Sequence, residues 1–352
     1  MTTISYLQAI RDAQLEEMRR DERVFIMGED VAWNMLGSTE GFVEEFGAER
    51  VRNTPITEAA FTGAAAGAAM VGMRPIVDLM LTSFMYCAMD QIISIISKST
   101  YLYGGQASLP LTIRASMFYG GSNAAQHSDR PIAPFMASPG LKIIAPSSPY
   151  DAKGLLKAAI REDDPVISFE DGTLWTTTGD VPDEDYIVPL GQADVKREGS
   201  QVTVVAISGA VRAALAAAEQ LASEGVSVEV VDPRSLVPMD YATILGSVKK
   251  TGRLVVADPS HRTCSPAAEI AATVAEDGFW SLQAPTVRVT TPTRTSRSAR
   301  RWKRSSTRAP TGSPRRSARR SSSRAHGDRG PAAPGRDGDD RRHRDGVAER
   351  RR

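Results

Sequence analysis

Across residues 5–20 the apolar positions Tyr6, Leu7, Ile10, Leu15 and Met18 recur at a helical interval and give way to a charged turn. Residues 24–27 then form an unbroken apolar run, the pattern of a short buried strand, which ends in Gly28, Glu29 and Asp30. Polar side chains that follow a strand stand where open α/β sheets hold their ligands. From Thr54 the stretch TPITEAAFTGAAAGAAMVG predicts a loop, an N-cap and a helix of very small residues, with Gly63, Gly67 and Gly72 at close-packing spacing. A strand over residues 75–79 follows.

Further short strands are predicted over 111–114, 142–145 and 166–170, with a helix over Pro149–Arg161 between the last two. Residues 180–194 are acidic, contain Pro182 and Pro189, and predict a linker over 181–199. A second alternating unit starts at Val202 with strand 202–208, an Ala-rich helix to about Ser223, strand 227–231 and helix 241–249. Strand 254–257, helix 267–275 and strand 286–290 complete it. Such alternation specifies parallel sheets with crossover helices, so two α/β domains are expected, over 1–180 and 200–292.

Charge divides the chain differently. The net charge of +1 over 352 residues conceals 20 basic and 6 acidic side chains after Pro292, a local charge of +14. The 23 basic and 36 acidic residues before it give −13. Residues 293–352 contain no Leu, Ile, Met, Phe or Tyr, and their apolar content is seven Ala, Val347 and Trp302. A segment that can bury so little surface does not offset its ordering entropy, and a disordered tail is expected.

Cys87 and Cys264 are the only cysteines, which suggests neither a disulfide framework nor a zinc cluster and fits a reducing compartment. Asp12, Glu16 and Glu17 argue against a secretory or Arg-rich transit signal. The most apolar stretch, residues 79–96, is broken by Asp90, Gln91 and several Ser and does not read as a membrane span. The expected location is cytoplasmic, with no membrane partner.

Two residues attract a chemical reading. Glu58 opens the small-residue helix, where it is either a first-turn carboxylate that suits the helix dipole or a partly buried acid able to hold a ligand ring nitrogen. His127, in AAQHSDRP, is either a structural loop residue or the group that titrates nearest neutral pH. No G-x-G-x-x-G follows a strand and no P-loop occurs, which disfavours a simple NAD or ATP enzyme. The Arg-rich tail could act as a nucleic-acid arm with salt-sensitive phosphate binding, although Trp302 is its only aromatic residue.

Longer stretches carry a family resemblance. FIMGED at Phe25, NTPITEAAFTGAAAGAAMVGMRP at Asn53, DQI at Asp90, YLYGGQ at Tyr101, AAQHS at Ala124 and PGLKIIAPSSPYDAKGLLKAAIREDDPVI at Pro139 recur in one family in this order. VVDPRSLVPMD at Val230 and TGRLVVADPSHR at Thr251 extend the series. The chain from about Ile4 to Pro292 resembles the β subunit of the E1 component of 2-oxo acid dehydrogenase complexes, the thiamine-diphosphate family that includes pyruvate, branched-chain and acetoin dehydrogenases.

The resemblance implies a thiamine-diphosphate-binding fold (pyrimidine domain), a second parallel-sheet domain of transketolase C-terminal type, and an α2β2 heterotetramer. The α subunit would bind the diphosphate and magnesium through a Gly-Asp-Gly motif. This chain has none, since Asp171-Gly172 follows Glu170. By the same resemblance Glu58 hydrogen-bonds the aminopyrimidine N1′ and favours the imino tautomer needed to form the thiazolium carbanion. Phe84 packs against the pyrimidine, where core filler is an equal reading, and Glu29 lies near the cofactor and an inter-site proton route. His127 donates a proton during acyl transfer to the lipoyl group of E2, the lipoyl acyltransferase. Potassium is implied near Leu111, Thr112, Ala159, Glu162 and Asp164, mostly through main-chain oxygens.

Three departures stand out. Asp129-Arg130-Pro131 replaces the usual continuation after AAQHS, and Ala137-Ser138 replaces a common His, both on the wall expected to meet substrate or lipoyl. The third is the tail, since the family continues after TTP with an aromatic-Pro turn and a C-terminal helix. GC-rich codons permitted for residues 291–317, with one G added after Pro292, read TPDTHIPFSPALEKIVYPGADRIAAAV in the new frame. Residues from Thr293 onward are therefore read as the product of a one-base deletion, in the gene or in its sequencing, and the second domain as incomplete. The contrasting nucleic-acid reading expects salt-dependent DNA binding that disappears when residues 293–352 are deleted.

Overall fold

The structure is a computed structural model that describes residues 1–120 and 123–291. The tail reading and Gly121-Ser122 lie outside the described residues.

Strand β1 (Thr2–Ser5) leads into helix α1 (Tyr6–Arg20), whose first turn is capped by the Ser5 side chain accepting from the Gln8 amide. Strand β2 (Val24–Gly28), helix α2 (Phe42–Phe46), strand β3 (Val51–Asn53) and helix α3 (Glu58–Met70) follow. Next come β4 (Arg74–Leu81), α4 (Ser99–Leu102), β5 (Thr112–Met117), α5 (Ile132–Met136), β6 (Lys142–Ile144) and α6 (Pro149–Arg161). β7 (Val166–Asp171) and β8 (Thr178–Val181) complete the first domain.

The second domain runs β9 (Asp194–Arg197), β10 (Val202–Ala206), α7 (Ala210–Ala222), β11 (Val228–Asp232) and β12 (Ser235–Val237). It continues through α8 (Tyr241–Thr251), β13 (Leu254–His261), α9 (Pro266–Asp277) and β14 (Val287–Thr291).

Two sheets organise these elements. The first has the order β12-β6-β7-β5-β4-β2-β3 and the second β14-β13-β10-β11-β9, both parallel except for their antiparallel edges β12 and β9. β1 and β8 form a separate antiparallel ribbon. The sequence expectation differs in several places, two of them at sheet edges. Residues 181–199, expected as a linker, contain β9, whose sequence Asp-Val-Lys-Arg has a single apolar residue and becomes a strand by pairing with β11. The three-residue β12, from the second domain, crosses to pair with β6 of the first.

A buried charge cluster ties the domains together. Asp151, in the first turn of α6, receives Lys196 Nζ and Arg234 Nε at 2.7 Å each, and Asp194 receives the same two cations at 2.8 and 2.9 Å. Asp232 is fully buried beside them and accepts from the Ser147 hydroxyl and the Arg234 amide. Three carboxylates thus face two cations. Burial, then the charge of Asp151, pushes the Asp232 carboxyl up to about 6.

A folded-state pKa raised from 3.8 gives stability that is complete below the unfolded value and is lost as pH rises through about 6. Asp232→Asn is therefore expected to remove on the order of 2 kcal/mol of the stability difference between pH 4 and pH 8. Urea unfolding of both proteins at the two pH values measures it, and parallel pH profiles would rule the assignment out.

Candidate active site

Four neighbouring strands build the site. In the order β5-β4-β2-β3, β2 pairs with β3 on one side and β4 on the other, so successive connections leave in opposite directions. Such a reversal opens a crevice at the carboxyl ends of the strands. Glu29 follows β2, Glu58 opens the helix after β3, Phe84 follows β4, and His127 lies in the loop after β5. Residues spread over about a hundred positions of sequence therefore follow the carboxyl ends of four neighbouring strands.

Glu58 is buried in the first turn of α3, on a helix whose Ala65, Ala66 and Ala69 sink into the core. Small side chains bring the helix close to the sheet. Glu29 faces it: burial first, then the negative charges of Glu58 and Asp30, push the Glu29 carboxyl up from its ordinary value. Its Oε1 is buried without a hydrogen-bond partner. The preceding Gly28 has no room for a side chain, because a Cβ there would stand 2.3 Å from the Asp78 carbonyl oxygen. That close approach fixes where β2 delivers Glu29.

Phe84 and His127 are in edge contact, with ring centroids 5.4 Å apart and planes at 88°. The His127 loop is pinned from β4's side. Thr82 Oγ1 donates to the Asp129 carbonyl at 2.8 Å and Tyr86 Oη to the Asp129 carboxylate at 3.0 Å. Arg130, the next departure, is buried with its guanidinium 4.6 Å from the centroid of the Tyr119 ring. Ser138 returns its hydroxyl to the Pro134 carbonyl, and Ala137 lines a separate cavity between α5 and α9.

Sequence reasoning missed two features. Thr54, Thr62 and Ser83 carry buried hydroxyl oxygens without partners, one beside each of β3, α3 and β4. Buried polar atoms are nearly always paired, so these orphans on and beside the elements that carry Glu58 and Phe84 leave polar atoms open to a ligand. The second feature is the floor. Arg114, on β5, donates to Glu170 at 2.8 and 2.9 Å, to Asp78 at 3.0 Å and to Gln14 at 2.9 Å. Asp78 also accepts from the amide of Met80, which has a φ of 57°.

The potassium set falls together at the far ends of the strands. Leu111 precedes β5 and Thr112 starts it, Ala159 sits in the last turn of α6, and Glu162 and Asp164 precede β7. Two cations already serve these groups. Lys142 Nζ lies 3.0 Å from Glu162 and 3.1 Å from Asp164, and Arg74 Nη2 donates to the Glu162 carbonyl at 2.7 Å. The Leu111 and Ala159 carbonyls each accept one backbone bond. A monovalent cation is left with second lone pairs of main-chain oxygens, and among the described residues no group of three His, Cys, Asp or Glu side chains could hold a metal.

Comparison with known proteins agrees with this layout. The profile of the transketolase pyrimidine binding domain matches residues 2–174, and that of the transketolase C-terminal domain matches 191–303. The chain is 46% identical over 303 residues to acetoin:2,6-dichlorophenolindophenol oxidoreductase subunit beta of Bacillus subtilis (strain 168), covering 82% of this chain and 89% of that one. It is 43% identical over 295 residues to 2-oxoisovalerate dehydrogenase subunit beta of the same organism, covering 83% and 90%. The solved structure of a split gene transketolase, an inactive β4 tetramer, has the same fold, with a TM-score of 0.69 at 23% identity over 82% of this chain and 89% of that one.

Fold and site thus define a two-domain protein of transketolase type. Within that class, the chain belongs to the family of E1 β subunits of the pyruvate, branched-chain 2-oxo acid and acetoin dehydrogenase complexes.

Proposed function

We propose that this chain is the β subunit of a thiamine-diphosphate-dependent 2-oxo acid dehydrogenase E1, active only with an α subunit, that decarboxylates a 2-oxo acid and passes the acyl group to lipoyl-E2. The observation that supports the reading is the placement of Glu29, Glu58, Phe84 and His127 after four neighbouring strands, with Glu29 beside Glu58, Phe84 against His127 and the Glu29 Oε1 unpartnered. When bound, thiamine diphosphate supplies a carbon nucleophile and an electron sink for decarboxylation.

This chain's own residues do the rest. Glu58 would hold a pyrimidine ring nitrogen by a hydrogen bond, and Phe84 would cover the ring face. Glu29 holds or passes a proton beside it. His127, braced against Phe84, delivers a proton to the acyl acceptor. The diphosphate and its magnesium belong to the α subunit, because this chain carries no Gly-Asp-Gly motif. Potassium would take mostly main-chain oxygens near Leu111, Thr112, Ala159, Glu162 and Asp164.

Acetoin oxidation is the second reading, favoured by the 46% identity to an acetoin-enzyme β subunit. Coexpression with an α subunit, followed by thiamine-dependent turnover of pyruvate, 2-oxoisovalerate and acetoin, separates the two. Turnover of none of the three, with the reading frame restored, would refute the assignment.

His127→Gln makes a sharper test of role. It is expected to lower lipoyl-dependent turnover by roughly 10²-fold while leaving decarboxylation with a dye acceptor within about threefold, because the proton it delivers is needed only at acyl transfer. Equal loss in both assays would remove His127 from that step.

A further inference from the structure

The loop after β5 carries His127 on a turn that is closed within itself. The Ser128 hydroxyl donates to the Ala124 carbonyl at 2.7 Å, and the Ser128 amide to the Ala125 carbonyl at 3.2 Å. Residues 124–128 are thereby tied into one piece, and where His127 stands depends on what holds that piece to the sheet.

Asp129 is the handle. The 3-10 segment Thr82–Ala88, which follows β4, grips it at two points: Thr82 donates to its main-chain carbonyl at 2.8 Å and Tyr86 to its carboxylate at 3.0 Å. A single hydrogen bond leaves a group free to turn about it, whereas two at opposite ends of one residue fix its orientation. Phe84, between Thr82 and Tyr86, meets the His127 ring edge-on at 5.4 Å. Burial, then the charge of Asp129, pushes the Tyr86 hydroxyl up from its ordinary value, so it stays a donor at neutral pH. A carboxylate acceptor makes that bond stronger than a neutral one would.

The other flank of the loop is anchored separately. Tyr119 donates to Asp171 at 2.5 Å, Asp171 also accepts from the Gly209 amide of the second domain at 3.1 Å, and the Arg130 guanidinium lies against the Tyr119 ring. Those anchors sit in the interior, while Tyr86 is 46% exposed, so its hydroxyl can be removed without opening the core.

We propose that the Tyr86–Asp129 hydrogen bond is a latch that positions the His127 imidazole for proton delivery to the acyl acceptor, which makes Tyr86 and Asp129 positioning residues for acyl transfer. The inference rests on the role proposed above for His127. Neither Tyr86 nor Asp129 lies in the stretches that carry the family resemblance, and Asp129 opens one of the departures from it.

Two readouts test the latch. In the full chain with its four histidines carbon-13-labelled, Tyr86→Phe is expected to shift the ring resonance of His127, identified by its loss in His127→Gln, as the ring leaves the edge of Phe84. The His261 resonance should stay in place. In E1 assembled with an α subunit, Tyr86→Phe and Asp129→Leu should each lower the ratio of lipoyl-dependent to dye-dependent turnover by roughly tenfold. The double variant should lose no more than either single one, because both remove the same bond. Asp129→Asn keeps an oxygen for the Tyr86 hydroxyl and should hold the ratio within about twofold.

An unmoved His127 resonance in Tyr86→Phe, additive losses in the double variant, or equal losses in both assays would overturn the inference. His127→Gln, assayed in parallel, separates two kinds of failure. If it lowers the ratio and Tyr86→Phe does not, the latch falls and the role of His127 stands. If it lowers both turnovers equally, that role falls and the latch with it.

Discussion

Glu58→Gln is expected to lower thiamine-dependent turnover of the assembled E1 by on the order of 10²–10⁴-fold while leaving its fold intact. The substitution preserves the shape of a buried side chain at the start of α3 but removes the carboxylate that can share a proton with a ligand ring. Little stability should be lost, because Glu58 is neither the N-cap nor a partner in any of the buried ion pairs described above. The cofactor should still bind through the α subunit's diphosphate site, so kcat falls further than the apparent affinity changes. One consequence is local and independent of activity. Glu58 raises the Glu29 carboxyl, so its neutralisation should let Glu29 fall toward its ordinary value, readable by carboxyl-carbon NMR. Turnover within about threefold of the parent enzyme would end the assignment of Glu58 as the proton-sharing group.

Much of this site was legible in the sequence, through two different channels. The small-residue helix and the strand ending in Glu29 follow from apolar spacing and from the absence of bulky side chains between residues 62 and 69. Roles for Glu58, His127 and Phe84 come from family resemblance, since spacing alone favours a structural reading for Glu58 and His127 and leaves Phe84 with an equally good one. What spacing could not supply was the meeting of Phe84 with His127, 43 positions later, because the order of strands across a sheet is a tertiary property. The orphaned hydroxyls of Thr54, Thr62 and Ser83 were invisible for the same reason: whether a hydroxyl finds a partner depends on what folds against it.

The edges of the sheets show where local signals yield to context. β9 has only Val195 as an apolar residue and β12 is three residues long, and both exist because a stronger neighbouring strand offers its free backbone groups. The buried charges did leave a trace. Asp78 in RPIVDLML, Arg114 in TIRASM and Glu170 in VISFED each place a charge within a fully or largely buried strand, and the three strands pack side by side through β5. Opposite charges in neighbouring buried strands are a pattern from which their pairing could have been inferred.

That pairing has the largest expected effect on stability. Arg114→Met is expected to cost about 3–5 kcal/mol, because it leaves two carboxylates in the core without their cation. The side chains of Asp78 and Glu170 are only 10% and 2% exposed, so water cannot replace the guanidinium. Burial already pushes the Glu170 carboxyl up, and Arg114 is the main group opposing that rise. Without Arg114 the folded-state pKa climbs further. A raised value gives stability that is complete below the unfolded pKa and lost as pH rises through the folded one, so the variant should be least stable at neutral and alkaline pH and partly rescued near pH 5.

Damage should also reach the crevice. Asp78 holds the Met80 amide in its left-handed conformation four residues before Phe84, so turnover should fall even where the protein remains folded. Replacing Asp78, Arg114 and Glu170 together by apolar residues of similar volume should recover most of the stability, because no unpaired charge is left behind. Turnover would not recover with it if Asp78 positions the end of β4. Urea unfolding of the single and triple variants at pH 5 and pH 8 tests this. A single-variant loss below about 1 kcal/mol at pH 8 would show that the network is not the buried ion pair its geometry describes.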